Sequence, residues 1–455
     1  MTLSSNNLKT FLRHRSGPLI LIGLALATSG LFKVAAFARE AFIAAKFGLS
    51  AITDVYFALQ QLPLIIATFM FGAFTLAFAP AFASSRRNGP IVAWLPGLTI
   101  VGVLIGLALT GLMSAAAPLL LQAIHSDASA SAWSTLKILS AAFAPIVCIG
   151  IWAGICTANG RNLWTMTMTG LPYLVMTLWL IGAYGAGMLN NLSLPVSMTA
   201  GFGLVGLYAL VRIVLLQPTS FRTGAVLSLG RIAEFRAFLR QLGASSLENS
   251  GYAANQLLML YFLSRIGTGI VSGNNCAMRI GMLGYNLLAL PLAQLVQAKL
   301  CAANERDRPA QFQRWIGAVA VLSAVFAVTL FLTKVPIIRI VYMHGKFQGA
   351  ALNTVASLLP AWICYIFVMS MNAIVARYLF IQSYGSTYVR RQLAAYAAAN
   401  ILRFALARRF DAPSIIWCSV ASEGCAMLLN LRSCFALGSG EKLAATLPTA
   451  SEVAG

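Results

Sequence analysis

Residues 17–32 and 55–83 contain no charged side chain. A helix needs about 20 apolar residues to cross the hydrocarbon core of a bilayer, and runs of this kind recur along the whole chain. Lipid offers the backbone no hydrogen-bond partner, so a spanning segment is a helix or a strand of a closed barrel. These runs are too long for barrel strands of about 10 residues. The sequence therefore predicts an all-α, polytopic membrane protein of about twelve transmembrane helices, in two six-helix lobes around a central cavity. Composition agrees, since 59% of residues are hydrophobic and 9% are charged, against roughly 25% charged in soluble domains.

Spans are expected near 17–46, 52–83, 91–123, 132–157, 163–187, 193–217, 238–264, 269–298, 314–343, 351–381, 389–409 and 412–437. The basic flank and apolar run at the N-terminus resemble a signal peptide, but the run continues into the first span and is read as a retained helix. The expected organisation is an N-terminal lobe at 1–217, a connection at 218–237, a C-terminal lobe at 238–437 and a polar tail at 438–455. A faint repeat supports two halves: "FGLSAITDVYFALQQ" (47–61) and "IGTGIVSGNNCAMRI" (266–280) match small residues at one fixed offset.

The net charge of +21 falls in short bursts between apolar runs. Nucleic-acid binders gather such residues on one face or arm, so no nucleic-acid partner is expected. The bursts read as topology signals instead. With the N-terminus in the cytoplasm, 18 Lys and Arg residues fall on the cytoplasmic side and nine on the other, among them Arg403 in "RFALARRFDAP" (403–413). Both termini are thus expected in the cytoplasm. The eight cysteines include no C-x-x-C pair and the three histidines are scattered, so no metal site or cofactor is expected.

Four basic residues remain inside apparent spans: Lys33, Arg39, Arg279 and Arg377. A charge at the bilayer centre costs about 2.5–3.5 kcal/mol on insertion scales and faces a cavity or a partner. Snorkelling accounts for Arg377, and for Lys46 at the end of its span. Arg39 and Arg279 lie deeper. The positions three and four away from Arg39 and Glu40 hold no opposite charge, so their partners are expected from another helix, water or substrate. The acids Glu248 and Glu423 also lie inside spans, as partners of intramembrane arginines or as carriers of a coupling ion. Several cations in one cavity suit an anionic substrate, because arginine grips phosphate oxygens bidentately.

"FAREAFIAAKFGLSAITDVYFALQQLP" (37–63), "GAFTLAFAPAFA" (72–83), "VSGNNCAMRI" (271–280), "VYMHGKF" (341–347) and "ARYLFIQSYGSTYV" (376–389) resemble, in order and spacing, the MurJ/MviN family of bacterial lipid II flippases. The resemblance implies the fold of the multidrug/oligosaccharidyl-lipid/polysaccharide exporter superfamily and alternating access. It also implies a cationic cavity for an undecaprenyl-diphosphate-linked glycan in the bacterial inner membrane. By matched position, Lys33, Arg39 and Arg279 hold the diphosphate, while Glu40 and Asp54 position those cations or contact sugar. Gly48, Gly72, Pro63 and Pro291 would let helices bend.

Two departures favour another lipid-linked glycan, an exopolysaccharide repeat unit, over lipid II. Ala67 and Thr68 stand where the family has charged residues, and two further C-terminal helices are expected to be missing. Membrane lipids and proteins of polysaccharide synthesis and polymerisation are the expected partners. A cation-coupled drug exporter of the same fold would want an acidic cavity. A glycan polymerase or ligase would want a large outer loop, so transport rather than bond-breaking chemistry is expected.

Overall fold

The structure is a computed structural model that describes residues 17–71, 74, 95–123, 130–159, 161–215, 233–285, 289–290, 292–293, 296, 299–300, 303–382, 384–406 and 411–438. Its helices, in chain order, are α1 (Gly17–Phe47), α2 (Ala51–Leu59), α3 (Leu95–Ala123), α4 (Ala130–Ser140), α5 (Phe143–Ala158), α6 (Asn162–Gly185) and α7 (Ser193–Leu215). There follow α8 (Ala233–Ser264), α9 (Ile270–Gly284), α10 (Arg308–Leu332), α11 (Lys334–Tyr342), α12 (Gly349–Ile381), α13 (Gly385–Leu406) and α14 (Ala412–Gly438). Among the described residues there is no strand, and eight helical segments are long and apolar enough to cross a membrane. The chain is an all-α polytopic membrane protein, and its helices coincide with the expected spans wherever these are described.

Three expected spans are broken among the described residues, the run 52–83 dividing at Gln60 after α2. The run 132–157 divides into α4 and α5, and Pro145 sits in the first turn of α5. The run 314–343 divides into α10 and α11, with Pro336 in the first turn of α11. Proline has no N–H to give to the preceding turn, so it is at home where a helix restarts. Alternation of apolar and polar residues carries no sign of such a break.

Contacts group the chain into two compact units, residues 1–279 with 335–356, and residues 280–334 with 357–455. In the first unit, α1 lies along α6. Phe32 of α1 packs onto Gly170, where a Cβ would come within 2.4 Å of its ring, and the Thr177 hydroxyl donates to the Ala35 carbonyl at 2.9 Å. Small residues that admit close approach, together with interhelical hydrogen bonds, are the usual adhesive between helices in lipid. In the second unit the core gathers residues of α10, α12, α13 and α14, with the Phe312 and Tyr378 rings stacked at 4.3 Å. The lobe division at 218–237 rests on the sequence, and residues 218–232 lie outside those described.

Candidate functional site: a buried cation cluster

The candidate site lies in the first unit, and the turns that frame it come first. Helix α1 ends at Gly48, whose φ of 68° suits glycine and whose N–H donates to the Ala44 carbonyl at 2.9 Å. Helix α2 then opens with a reciprocal cap: Ser50 N–H donates to Thr53 Oγ1 at 2.9 Å, and Thr53 N–H donates to Ser50 Oγ at 3.4 Å. A threonine fills the place that glutamate takes in the commoner capping box. This fixes the start of α2 and aims Asp54 at helix α9.

Asp54 has a definite task there. Its carboxylate accepts from the Gly269 N–H at 2.5 Å, the Ser272 N–H at 2.8 Å and the Ser272 hydroxyl at 2.7 Å. The first N–H groups of a helix have no partner within it, and a negative charge is favoured at that end. Asp54 thus caps α9 across 215 residues of sequence. The two segments of the faint repeat, 47–61 and 266–280, meet at this point. The "HGKF" turn joins them: Lys346 N–H donates to the Ala45 carbonyl at 2.8 Å. Gly345 (φ 61°) lies so close that a Cβ would fall 2.2 Å from the same carbonyl oxygen. Three of the segments that carry the family resemblance therefore converge in space.

Below these turns sit Arg39 and Glu40, both fully buried and paired with each other. This corrects the expectation that neither finds an opposite charge on its own helix. Adjacent residues point about 100° apart, but the long arginine side chain spans that angle. Arg39 also donates to the Met176 sulfur at 2.8 Å and lies 5.8 Å from the Tyr173 ring centroid. Its position is therefore fixed by α6 as well as by Glu40.

Glu40 serves further partners. One carboxylate oxygen accepts from Asn275 Nδ2 at 2.9 Å, and the other lies 3.6 Å from Arg279 Nε. Asn275 and Arg279 are one turn apart on α9, so Asp54 and Glu40 hold the same helix at its start and its middle. Arg279 differs from Arg39: its side chain is 21% exposed, and its Nε and Nη2 are buried without a hydrogen bond among the described residues. The Lys33 ammonium stands within Coulombic range of it. The Tyr56 hydroxyl, also buried without a partner, faces the same charges. Among the described residues two arginines thus share the Glu40 carboxylate, and Lys33 stands beside the second of them.

The other expected residues are accounted for individually. Lys46 places its ammonium 3.7 Å from the Tyr184 ring centroid. The Arg377 guanidinium turns back onto its own helix, donating to the Ala373 carbonyl at 2.7 Å. In the second unit, buried Glu423 accepts from the Tyr365 hydroxyl at 2.7 Å. Glu248 lies on α8, but its side chain is outside the described residues, as are Gly72 and Pro291. Ala67 is buried and Thr68 exposed on the continuation of α2.

Two arginines were misjudged or missed in the sequence. Arg403, counted among the loop charges of the 403–413 hairpin, is fully buried on α13. It donates to the Ile415 carbonyl at 3.1 Å, Asn400 Oδ1 at 2.7 Å and Ser419 Oγ at 2.5 Å. The serine-rich face of α14 was the available signal. Arg212 lies in an expected span, exposed, 5.7 Å from the Trp152 ring centroid.

No family model matches this sequence, and no curated protein matches it. Solved structures do. The structure of lipid II flippase MurJ in an inward closed conformation aligns with a TM-score of 0.77 at 18% identity, over 91% of this chain and 87% of that one. The chain has the fold of these transporters. An inward-facing multidrug resistance MATE family transporter of the MOP superfamily aligns with a TM-score of 0.71 at 13% identity, over 93% of this chain and 100% of that one. A MOP superfamily transporter from Pyrococcus furiosus, described as having a binding pocket of reverse polarity, aligns with a TM-score of 0.63 at 13% identity, over 92% and 94% of the two chains.

Proposed function

We propose that this chain is a flippase that moves a polyprenyl-diphosphate-linked oligosaccharide across the bacterial inner membrane by alternating access. An exopolysaccharide repeat unit is the favoured cargo. Arg279 carries the reading: a guanidinium in a membrane helix, partly open, with two buried donors unsatisfied. A buried donor left without a partner costs about 1–3 kcal/mol, so a retained one points to a ligand. Arginine's planar fork matches phosphate oxygens, and Lys33 adds a second cation beside it. Arg39, locked by Glu40 and Met176, sets the position of Glu40 instead of gripping substrate. Asp54 orients α9 and, with it, Arg279.

The uncharged Ala67 and Thr68 support a cargo other than lipid II. The shared fold with MurJ supports lipid II as the second reading. Rescue of cells depleted of their own lipid II flippase would put that reading first. A drug exporter, suggested by the likeness to MATE proteins, is disfavoured by the excess of cations at the site. Both termini are proposed to be cytoplasmic, on the 18-to-nine division of basic residues.

The experiment replaces Arg279 in the native host and measures exported glycan beside membrane abundance. Arg279→Lys keeps the charge without the fork and should retain partial export. Arg279→Ala and Arg279→Glu should lower export more than a hundredfold, as a loss of about 3 kcal/mol requires, while the polyprenyl-linked glycan accumulates inside. Normal export by Arg279→Glu refutes the mechanism. If abundance of Arg279→Ala falls in proportion to its export, Arg279 is a structural partner of Glu40 instead.

A further inference from the structure

The second unit carries a groove of about 580 Å³ lined by Lys299, Ala303, Gln311, Arg314, Trp315 and Ala318. Its depth in the membrane follows from helix α10. That helix has 25 residues, about 37 Å at 1.5 Å per residue, whereas the hydrocarbon core is about 30 Å thick. Every charge on α10 lies in its first two turns, as Arg308 and Arg314, and the remainder from Trp315 to Leu332 is uncharged. The uncharged part takes the hydrocarbon, so the groove lies at headgroup level. Trp315 fits that level too, since tryptophan concentrates at membrane interfaces.

The chemistry of the lining is one-sided. Lys299 places its ammonium 4.9 Å from the Trp315 ring centroid, which holds it over the groove. Arg314 is exposed beside it. Among the described residues no carboxylate lines the groove, and nearby Glu305 is turned to Arg308 at 3.9 Å. Neither Lys299 nor Arg314 pairs with an acid among the described residues. The rest of the lining is small and apolar at Ala303 and Ala318, where a charged ligand alone would find nothing to bury.

We propose that this groove binds an anionic phospholipid. Lys299 and Arg314 receive its phosphate, Gln311 donates to the headgroup, and Trp315 with the two alanines accepts the first carbons of an acyl chain. Basic pockets between membrane helices are suited to such headgroups, and arginine adds the bidentate fork for phosphate. The site does not depend on the glycan cargo.

The test uses the full chain in micelles doped with phosphatidylglycerol or phosphatidylcholine, with bound lipids counted by native mass spectrometry. The wild type should retain phosphatidylglycerol in preference to phosphatidylcholine. Lys299→Ala with Arg314→Ala should weaken retention of phosphatidylglycerol about thirtyfold, the weight of two interfacial cations. Lys299→Arg with Arg314→Lys should retain it, which separates charge from folding. Arg339→Ala, an exposed cation elsewhere, should change nothing. Unchanged retention by the double alanine variant overturns the proposal. So does equal retention of phosphatidylcholine, or competition by millimolar inorganic phosphate, which would mark a soluble anion site.

Discussion

Replacing Asp54 by alanine tests whether this carboxylate is a cap or a substrate contact. Three hydrogen bonds end on it, from Gly269 N–H, Ser272 N–H and the Ser272 hydroxyl, at 2.5–2.8 Å. Hydrogen bonds to a charged group contribute about 1.5–3 kcal/mol each, but they are not additive here because two come from one residue. Removing an ordinary N-cap costs about 0.5–2 kcal/mol, and the charge at the helix start adds up to about 1 kcal/mol. The two together give about 0.5–3 kcal/mol, measurable against a typical stability of roughly 5–15 kcal/mol. Asp54→Asn keeps one carbonyl for Ser272 but turns an NH2 toward the Gly269 N–H, so it should lose about half as much. The assay is thermal: solubilised protein is heated, and the surviving monodisperse fraction is read by size exclusion. The alanine variant should lose fold at a clearly lower temperature, the asparagine variant should fall between, and membrane abundance should follow the same order. A wild-type midpoint for Asp54→Ala, with export abolished, would refute the capping argument and make Asp54 a substrate contact.

Gly345→Ala would set a Cβ 2.2 Å from the Ala45 carbonyl oxygen at a φ of 61°. A destabilisation of more than about 2 kcal/mol is expected from the clash and the left-handed backbone together, seen as lost abundance, whereas Gly349→Ala, with open space around it, should be neutral. Arg403→Leu removes the buried hydrogen bonds to the Ile415 carbonyl, Asn400 and Ser419 and should cost about 3 kcal/mol, again read as abundance. Glu423→Gln should leave abundance near wild type, since the amide carbonyl still accepts from Tyr365; loss of export would support a coupling role, and unchanged export would remove it.

The membrane class and the helix boundaries were legible because lipid allows so few backbone solutions that hydropathy alone nearly specifies them. The breaks before Pro145 and Pro336 were less legible, since an apolar run looks the same whether or not its helix restarts. Arg39, Glu40, Asp54 and Arg279 stood out because charge in lipid demands a partner. Their partners did not stand out. A search at three and four residues' distance misses the adjacent Glu40. It cannot reach Asn275 or Gly269 either, which are more than 200 positions away. Arg403 was mistaken for a loop charge because the Ile415 carbonyl, Asn400 and Ser419, to which it donates, carry no charge and leave no pattern to read.

The two arginines on Glu40 should fail in different ways when removed. Arg39 is fully buried with Glu40, Met176 and Tyr173 around it. Breaking a buried pair from one side costs about 3–5 kcal/mol, whereas replacing both members by apolar groups is often neutral. Arg39→Met should therefore reduce folded protein sharply. Arg39→Met with Glu40→Leu should recover part of it, but only part, because Glu40 also accepts from Asn275 and faces Arg279. Arg279 itself is partly open, so Arg279→Met should leave most of the protein folded and remove export. This contrast is testable by measuring abundance and export for the three variants side by side. If Arg39→Met is abundant but silent, Arg39 contacts substrate and the division of labour between the arginines is wrong. If Arg279→Met is as poorly folded as Arg39→Met, both are structural and the anion site must be sought elsewhere. With three cations, Lys33, Arg39 and Arg279, beside the single charge of Glu40, the described residues of the site carry an excess of two positive charges, the size a diphosphate diester brings.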